Sequence, residues 1–492
     1  MLTLDLKPDI GNLTVRGRLV VYLSNIVQKP DSAAAVDEKR KDEAGNPLPA
    51  DRERRVSPMH SGEFDNTTLA PVINVDADAA EPTVVLQSNT DRPGLVEVTN
   101  IHRLVGRLIR LFREDDKWHT KLSTRPESAQ WLLDLLQDLL DNDTIPADRH
   151  RLFKALIRLS DYSKLYPRCF TIDDLEHERL VAGGSFSDVY TGYLHGQRVA
   201  VKMMRVFDQS DINALLKGFS REAVIWRQLS HPTLLPFYGL YKFRQRLCLV
   251  SPWMENGHVR AFLKKESYNT ERLLSLALDV ALGLKHLHAQ NIVHGDLKGE
   301  NIFVTSSLRA CIADFGLSSI TTSASSVQFA PSSMPSRGGT ARYQAPELHQ
   351  GGQNDQCTDV YSWASVVYEL FAGTLPFPEM RLDIAVVMAV LAGQRPTRLP
   401  SLSGTSALDG LWALLQECWN ATPESRPTAA QIVQRLKGDG IGARESTQSE
   451  NDWDQTSTSK FRHRLLDDQP LPTVDEFERV VFGAASLPFA QH

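Results

Sequence analysis

At 492 residues the chain exceeds one ordinary domain, and with 42% hydrophobic and 23% charged residues it has the material for a sizeable core. A formal net charge of −6 leaves no basic footprint for nucleic acid, so a nucleic-acid partner is not expected. No apolar run reaches the roughly 18 residues of a membrane span, and Met1 to Lys7 lacks the basic and apolar blocks of a signal peptide.

Residues 1–28 hold two β-like runs, Leu2 to Leu6 and Val15 to Ser24, on either side of the turn signal Gly11-Asn12. Two strands do not make a stable domain by themselves. The segment weakly resembles the last strands of a calcium- and lipid-binding β-sandwich module, which would imply membrane contact. An edge hairpin packed on another element, or a truncated remnant, reads the same way. Residues 29–93 read as a disordered charged linker: Asp37 to Glu43 and Asp51 to Arg55 are mixed charge runs, with few aromatics to repay ordering.

Residues 94–168 change character. Ile101, Leu104, Val105, Leu108 and Phe112 recur at helical spacing. Thr124-Arg125-Pro126-Glu127 has the form of a capping box and predicts a second helix carrying Leu132, Leu133, Leu136, Leu139 and Leu140. A third helix is predicted near Asp148 to Tyr162, with Leu152, Phe153, Leu156 and Ile157 inward. The expectation is a small helical bundle whose apolar stripes form its own core, or in part face a partner or the segment that follows.

From 169 to 440 a series of motifs follows in order. Leu180 to Tyr190 contains Gly183-Gly184 between strand-like residues, and Val199-Ala200-Val201-Lys202 comes next. Glu222 falls twenty residues after Lys202 in a helical stretch, Phe219 to Leu229, which Ser230-His231-Pro232 ends. Leu247 to Ser251 reads as a central strand leading to Trp253 and Met254, and Arg272 to Gln290 as a long helix. His294 to Asn301 reads HGDLKGEN and is followed by the apolar run Ile302-Phe303-Val304. Asp314-Phe315-Gly316 lies eighteen residues after Asp296; Ala345-Pro346-Glu347, Asp359 and Arg426 complete the series.

These motifs resemble the protein-kinase family over roughly 260 residues. The resemblance implies an α+β, bilobal kinase fold, with a small β-rich lobe and a large helical lobe, preceded by the helical bundle. It implies ATP and Mg²⁺, with Asp296 as catalytic base, Lys298 reaching the γ-phosphate and Lys202 on the α- and β-phosphates. Glu222 would pair with Lys202, and Asn301 and Asp314 would hold metal. Val181, Gly183, Gly184, Val189, Ala200, Ser251 (as gatekeeper) and Met254 would surround the nucleotide, while Trp253 reads equally as a hinge packing residue. Asp359 would hold the catalytic-loop backbone, and Arg426 would pair with Glu347. Glu417-Cys418-Trp419 and Arg426-Pro427 resemble the tyrosine-kinase and tyrosine-kinase-like branch, whereas Asp296-Leu297-Lys298 and Gly339-Thr340 resemble Ser/Thr enzymes. The tyrosine-kinase-like Ser/Thr group satisfies both.

The expected activity is transfer of the γ-phosphate of ATP to Ser/Thr hydroxyls of protein substrates. Two departures keep a pseudokinase or interaction scaffold as the alternative: Ala182 and Ser187 replace the outer glycines of the loop, and Gly295 replaces the arginine before the catalytic aspartate. Without that arginine, phosphorylation of the hydroxyls from Ser318 to Ser336 loses its usual partner. That run reads as solvated chain, or as a secondary control in which phosphates meet Arg337 or Arg342. Five scattered cysteines without a C-x-x-C pair fit a reducing, cytoplasmic setting. Residues 441–492 read as a mobile tail whose amphipathic piece near Val474 to Phe482 offers a docking helix.

Overall fold

A computed structural model describes residues 93–142, 147–183, 187–204, 212–243, 246–320, 340–438, 452–453, 455–466 and 471–482. The readings of residues 1–28 and 29–92, of Gly184 and of the hydroxyls between 321 and 336 lie outside the described residues.

Four helices open the described chain: α1 (Pro93–Glu114), α2 (Trp118–Ser123), α3 (Pro126–Asp141) and α4 (Arg149–Ser163). The apolar positions read from the sequence are buried, including Leu104, Leu108, Leu132, Leu136, Leu152 and Leu156, while Phe112 is half-buried. The expected capping box is not formed. Thr124 is the C-cap of α2, and its hydroxyl donates to Lys121 O at 2.7 Å. Arg125 takes the N-cap of α3 without a side-chain bond, and Pro126 starts the helix, where its missing N–H costs nothing.

A six-stranded sheet follows, in the order β1 (Thr171–Ile172), β5 (Gly239–Phe243), β6 (Arg246–Pro252), β4 (Gln197–Met204), β3 (Ser187–Leu194), β2 (Glu176–Gly183). All pairs are antiparallel except β1 with β5. His195-Gly196, both at positive φ (50° and 79°), turn β3 into β4, which matches strand twist. Val199, Val201, Cys248 and Val250 bury one face of the sheet in a small core. The alternation puts Ala200 and Lys202 on the other face.

Helix α5 (Ile212–Gln228) carries Glu222 between β4 and β5. The large lobe contains α6 (Val259–Phe262), α7 (Thr270–Ala289), β7 (Ile292–Val293), β8 (Ile302–Val304), β9 (Ala310–Ile312) and β10 (Ser319–Ile320). It continues with α8 (Pro346–His349), α9 (Gln356–Ala372), α10 (Asp383–Leu391), α11 (Ser406–Cys418) and α12 (Ala429–Gly438). Helix α9 is buried from Thr358 to Phe371; Asp355 and Thr358 form its capping box, and Gly373 ends it at φ 65°. One continuous apolar core runs from α1, α3 and α4 through α5 into α7 and α9.

Where it is described, the tail folds into helices. Helices α13 (Ser459–Leu466) and α14 (Val474–Phe482) pack on the rest of the chain. Phe477 is fully buried and stacks with Trp131 at 6.4 Å, and Glu478 pairs with Arg107 at 2.6 Å. His463 lies between Asp138 (2.9 Å) and Asp141 (2.8 Å) of α3. The amphipathic piece at 474–482 thus spends its apolar side on the helices at the front of the chain.

Candidate active site

The loop between β7 and β8 is built on one buried carboxylate. Asp359, in the first turn of α9, accepts from His294 N (2.8 Å) and Gly295 N (2.9 Å) and bonds His288 Nε2 (2.9 Å). Gly295 sits at φ 78°, where a side chain would be strained. His294 Nδ1 accepts from Asp296 N at 3.2 Å, so its Nε2–H donates to Ala313 O at 3.0 Å. The imidazole therefore ties the loop to the strand that delivers Asp314.

Within the loop, Lys298 Nζ donates to Asp296 Oδ2 at 2.8 Å. Asn301 Nδ2 donates to Asp296 O at 2.8 Å and to Asp296 Oδ2 at 3.2 Å. All three side chains are buried, so each bond counts for more than it would in water.

Asp314 is held from the other side. Its backbone is left-handed (φ 65°, ψ 72°), and Phe315, fully buried, packs against Trp226 of α5 and His294. Lys202 Nζ reaches Asp314 Oδ1 at 2.8 Å and Glu222 Oε1 at 3.2 Å. Burial works against the Lys202 charge, but Asp314 and Glu222 outweigh it and hold the ammonium above its ordinary pKa. The sheet register brings the other expected nucleotide contacts together. Val189 lies opposite Lys202, and Ala200 opposite the buried Ser251, so these four share one face. Met254 is buried at the exit of β6, Gly183 ends β2 opposite Asp188, and Val181 is 47% exposed. Trp253 donates its backbone N–H to Arg198 O at 3.1 Å, and the Arg198 guanidinium covers its ring at 4.5 Å. That is the packing role.

At the far end of the segment Arg426 grips Glu347 with two bonds, 2.6 and 2.9 Å, and its side chain is fully buried. Of the residues read as solvated chain or, alternatively, as a phosphate control, Ser318 and Arg342 have described side chains. Ser318 is buried, with its hydroxyl 3.4 Å from His294 O. Arg342 is buried and gives four of its five N–H donors to Asp383 (2.9 Å) and the carbonyls of Pro376, Phe377 and Met380 (2.9, 2.9 and 2.7 Å). Arg337 and the side chain of Thr340 lie outside the described residues.

A second polar cluster beneath the loop has no sequence signature that we identified. Arg260 bonds Glu300 (2.5 Å), Glu369 (3.0 Å) and Tyr343 (3.1 Å), and Tyr343 Oη donates to Glu369 at 2.6 Å. Burial pushes the Glu369 carboxyl up, against the hydrogen bonds of Tyr343 and Arg260. A Cβ on Gly299 would come within 2.1 Å of the Glu369 carboxylate, so a larger residue there would have to push that side chain away from Arg260 and Tyr343. These groups lie up to 109 residues apart, which no local motif encodes.

The family described as protein tyrosine and serine/threonine kinase matches residues 175–436. Serine/threonine-protein kinase STY17 of Arabidopsis thaliana is 33% identical over 265 residues, covering 53% of this chain and 44% of that protein. Serine/threonine/tyrosine-protein kinase HT1 of the same plant is 33% identical over 261 residues, covering 52% of this chain and 64% of that protein. Dual specificity protein kinase splA of Dictyostelium discoideum is 32% identical over 287 residues, covering 54% of this chain and 11% of that protein. This chain thus spans less than two thirds of the length of each. The matched stretch contains the Lys202, Asp296 and Asp314 clusters and both lobes, and the chain belongs to the protein tyrosine and serine/threonine kinase family, on the side of its tyrosine-kinase-like members.

Proposed function

We propose that the chain is an active protein kinase that transfers the γ-phosphate of ATP to Ser and Thr hydroxyls of protein substrates. The observation that carries this reading is the buried cluster Asp296–Lys298–Asn301, with Lys298 Nζ at 2.8 Å from Asp296. Asp296 orients the acceptor hydroxyl and takes its proton. The acceptor oxygen forms the new P–O bond as the bond from the γ-phosphorus to the β–γ bridging oxygen breaks, and ADP leaves. Lys298 has its charge beside that exchange and reaches the γ-phosphate. Lys202, steadied by Glu222, takes the α- and β-phosphates, while Val181, Gly183, Gly184, Val189, Ala200, Ser251 and Met254 enclose the nucleotide.

Protein kinases of this family use ATP and magnesium. The donor set here suits a hard cation. Both amide hydrogens of Asn301 are directed at Asp296, which leaves its side-chain oxygen, together with the Asp314 carboxylate, as ligands. Bound magnesium neutralises phosphate charge.

Formation of the Lys202–Glu222 pair and the retention of Asp296, Asn301 and Asp314 support transfer over a scaffold that only binds nucleotide. The Ser/Thr choice rests on Lys298 two residues after Asp296. Relatives named for dual specificity make phosphotyrosine the measured competitor. Phosphosite mapping of products from the purified wild type beside Asp296→Asn is the test. We expect phosphoserine and phosphothreonine, a loss of about 10²–10⁴-fold in the variant, and nearly unchanged ATP binding. Mainly phosphotyrosine would overturn the acceptor assignment, and wild-type turnover by the variant would overturn the base.

A further inference from the structure

On the outer side of the front helices, the end of α1, the start of α2 and the exposed side of α4 enclose a slot of about 190 Å³. Its apolar wall is Ile109, Phe112 and Trp118, with the Phe112 and Trp118 rings 4.4 Å apart. Around this wall stand Arg113, Arg151, Lys154 and Arg158. Only Arg151 has a carboxylate within ion-pair distance among the described residues, the exposed Asp148 at 3.0 Å. The nearby Asp115 is held by Lys121 at 2.6 Å.

Two features mark the slot as built to receive something. Four cations gathered at an aromatic wall repel one another: burial and then the Arg158 charge hold the Lys154 ammonium below its ordinary pKa. Ile109 and Phe112 remain half-buried and present apolar surface to the slot. The volume is below the roughly 300 Å³ at which cofactor-sized pockets begin, so the occupant is about one bulky side chain deep.

We propose that this slot docks an acidic peptide segment of a partner protein, one bulky apolar side chain seated on Ile109 and Phe112 and flanking carboxylates on Arg113, Lys154 and Arg158. Aromatic anchors supply the contact area, and the cations supply orientation and association rate. The far side of α4 packs against α5, the helix of Glu222, so the bound segment lies one helix from the active site. The proposal does not depend on phosphotransfer, because binding is measured directly.

The test uses the full chain and a fluorescent peptide with a single phenylalanine between runs of Glu and Asp, followed by anisotropy. Saturable binding is expected, weakening as salt rises from about 0.1 M to about 1 M, where the screening length falls from about 10 to about 3 Å. Lys154→Glu with Arg158→Glu should lower affinity at least about tenfold, and the exposed Arg113→Glu should lower it as a second, milder variant. Both should keep the wild-type melting temperature and phosphotransfer to a generic substrate. Replacing the peptide phenylalanine with glycine should abolish binding. Equal binding by the glycine peptide would reduce the site to charge attraction and overturn the proposal. Unchanged affinity in both variants, or no saturation with wild type, would overturn it too. Displacement of the peptide by vesicles of anionic lipid, with the same variants blind to the vesicles, would overturn it in favour of a membrane surface.

Discussion

Asp314 occupies the left-handed region, which costs a residue with a side chain on the order of 1–2 kcal/mol. The surroundings over-determine it: Phe315 is pinned between Trp226 and His294, and Lys202 takes the carboxylate. Gly295 takes the same region with no such cost. Its lack of a side chain also removes the buried cation that a phosphorylated loop would neutralise, and Arg342 is buried with four of its five N–H donors already given to Asp383 and three carbonyls. Phosphatase-treated enzyme should therefore keep most of its initial rate in a short assay with fresh ATP. A hundred-fold loss, about 2.7 kcal/mol of barrier, would mean that another basic pocket receives the phosphate. Ser251 predicts a second residue-scale outcome. It is buried opposite Ala200 and has a small side chain, so bulky ATP-competitive inhibitors should enter behind it, and Ser251→Met should weaken them by filling the space. Equal inhibition of both forms would remove Ser251 from the gatekeeper position.

At the scale of elements, α5 decides whether Glu222 meets Lys202, and its far end is held by the front helices. Arg227 Nη2 bonds Asp141 Oδ2 at 2.6 Å with both side chains buried, and Gln228 Nε2 bonds Gln137 Oε1 at 2.7 Å. The same Asp141 carries His463 of α13, so front helices, α5 and tail meet at one carboxylate. Removing one partner of a buried pair leaves an uncompensated charge and typically costs about 3–5 kcal/mol. Asp141→Ala should lower stability by that order in chemical denaturation and raise KM for ATP, because α5 loses its anchor. A variant that melts early yet binds ATP normally would show that α5 is positioned by its apolar face alone.

At the scale of the whole molecule, two histidines set opposite limits on stability. His231 is pushed down to about 4, chiefly by burial and then by His286, whose ring lies 4.7 Å away. Its Nδ1 accepts from Thr233 N at 3.2 Å and so needs the neutral form. Below the unfolded pKa of about 6.5 the unfolded chain binds the proton first, so this stability is lost as pH falls from about 6.5 to about 4. His463 runs the other way: burial opposes its charge, Asp138 and Asp141 outweigh it, and the imidazole is pushed up to about 12. Its contribution is complete below about 6.5 and is lost as pH rises toward about 12. The melting temperature should therefore peak near pH ~6.5. His231→Gln should make the acid limb shallower, with His119, His150, His258, His286 and His349, all held down by burial, supplying the rest, and His463→Gln should make the alkaline limb shallower. An unaltered profile in both variants would leave the limbs to other groups.

The sequence alone determined the kinase family, the lobes and the helical periodicities of the front segment, because each is written in short-range form. Phosphoryl transfer demands particular side chains at small fixed spacings, as from Asp296 to Asn301, and helical burial demands an apolar residue every three or four, as from Leu132 to Leu140. Local reading misplaced the start of α3, since a Thr-x-x-Glu pattern does not say which helix its hydroxyl will serve. It offered the piece at Val474 to Phe482 as a docking helix without naming its partner, and Phe477 finds its cover on α3, 346 residues earlier at Trp131. Only the tertiary structure decided that Arg342 is occupied, that Arg260, Tyr343 and Glu369 share one network, and that Asp141 joins three segments. Burial turns such distant charges into obligatory pairs, because a buried charge must find a partner wherever the fold brings one, and sequence spacing carries no record of that choice.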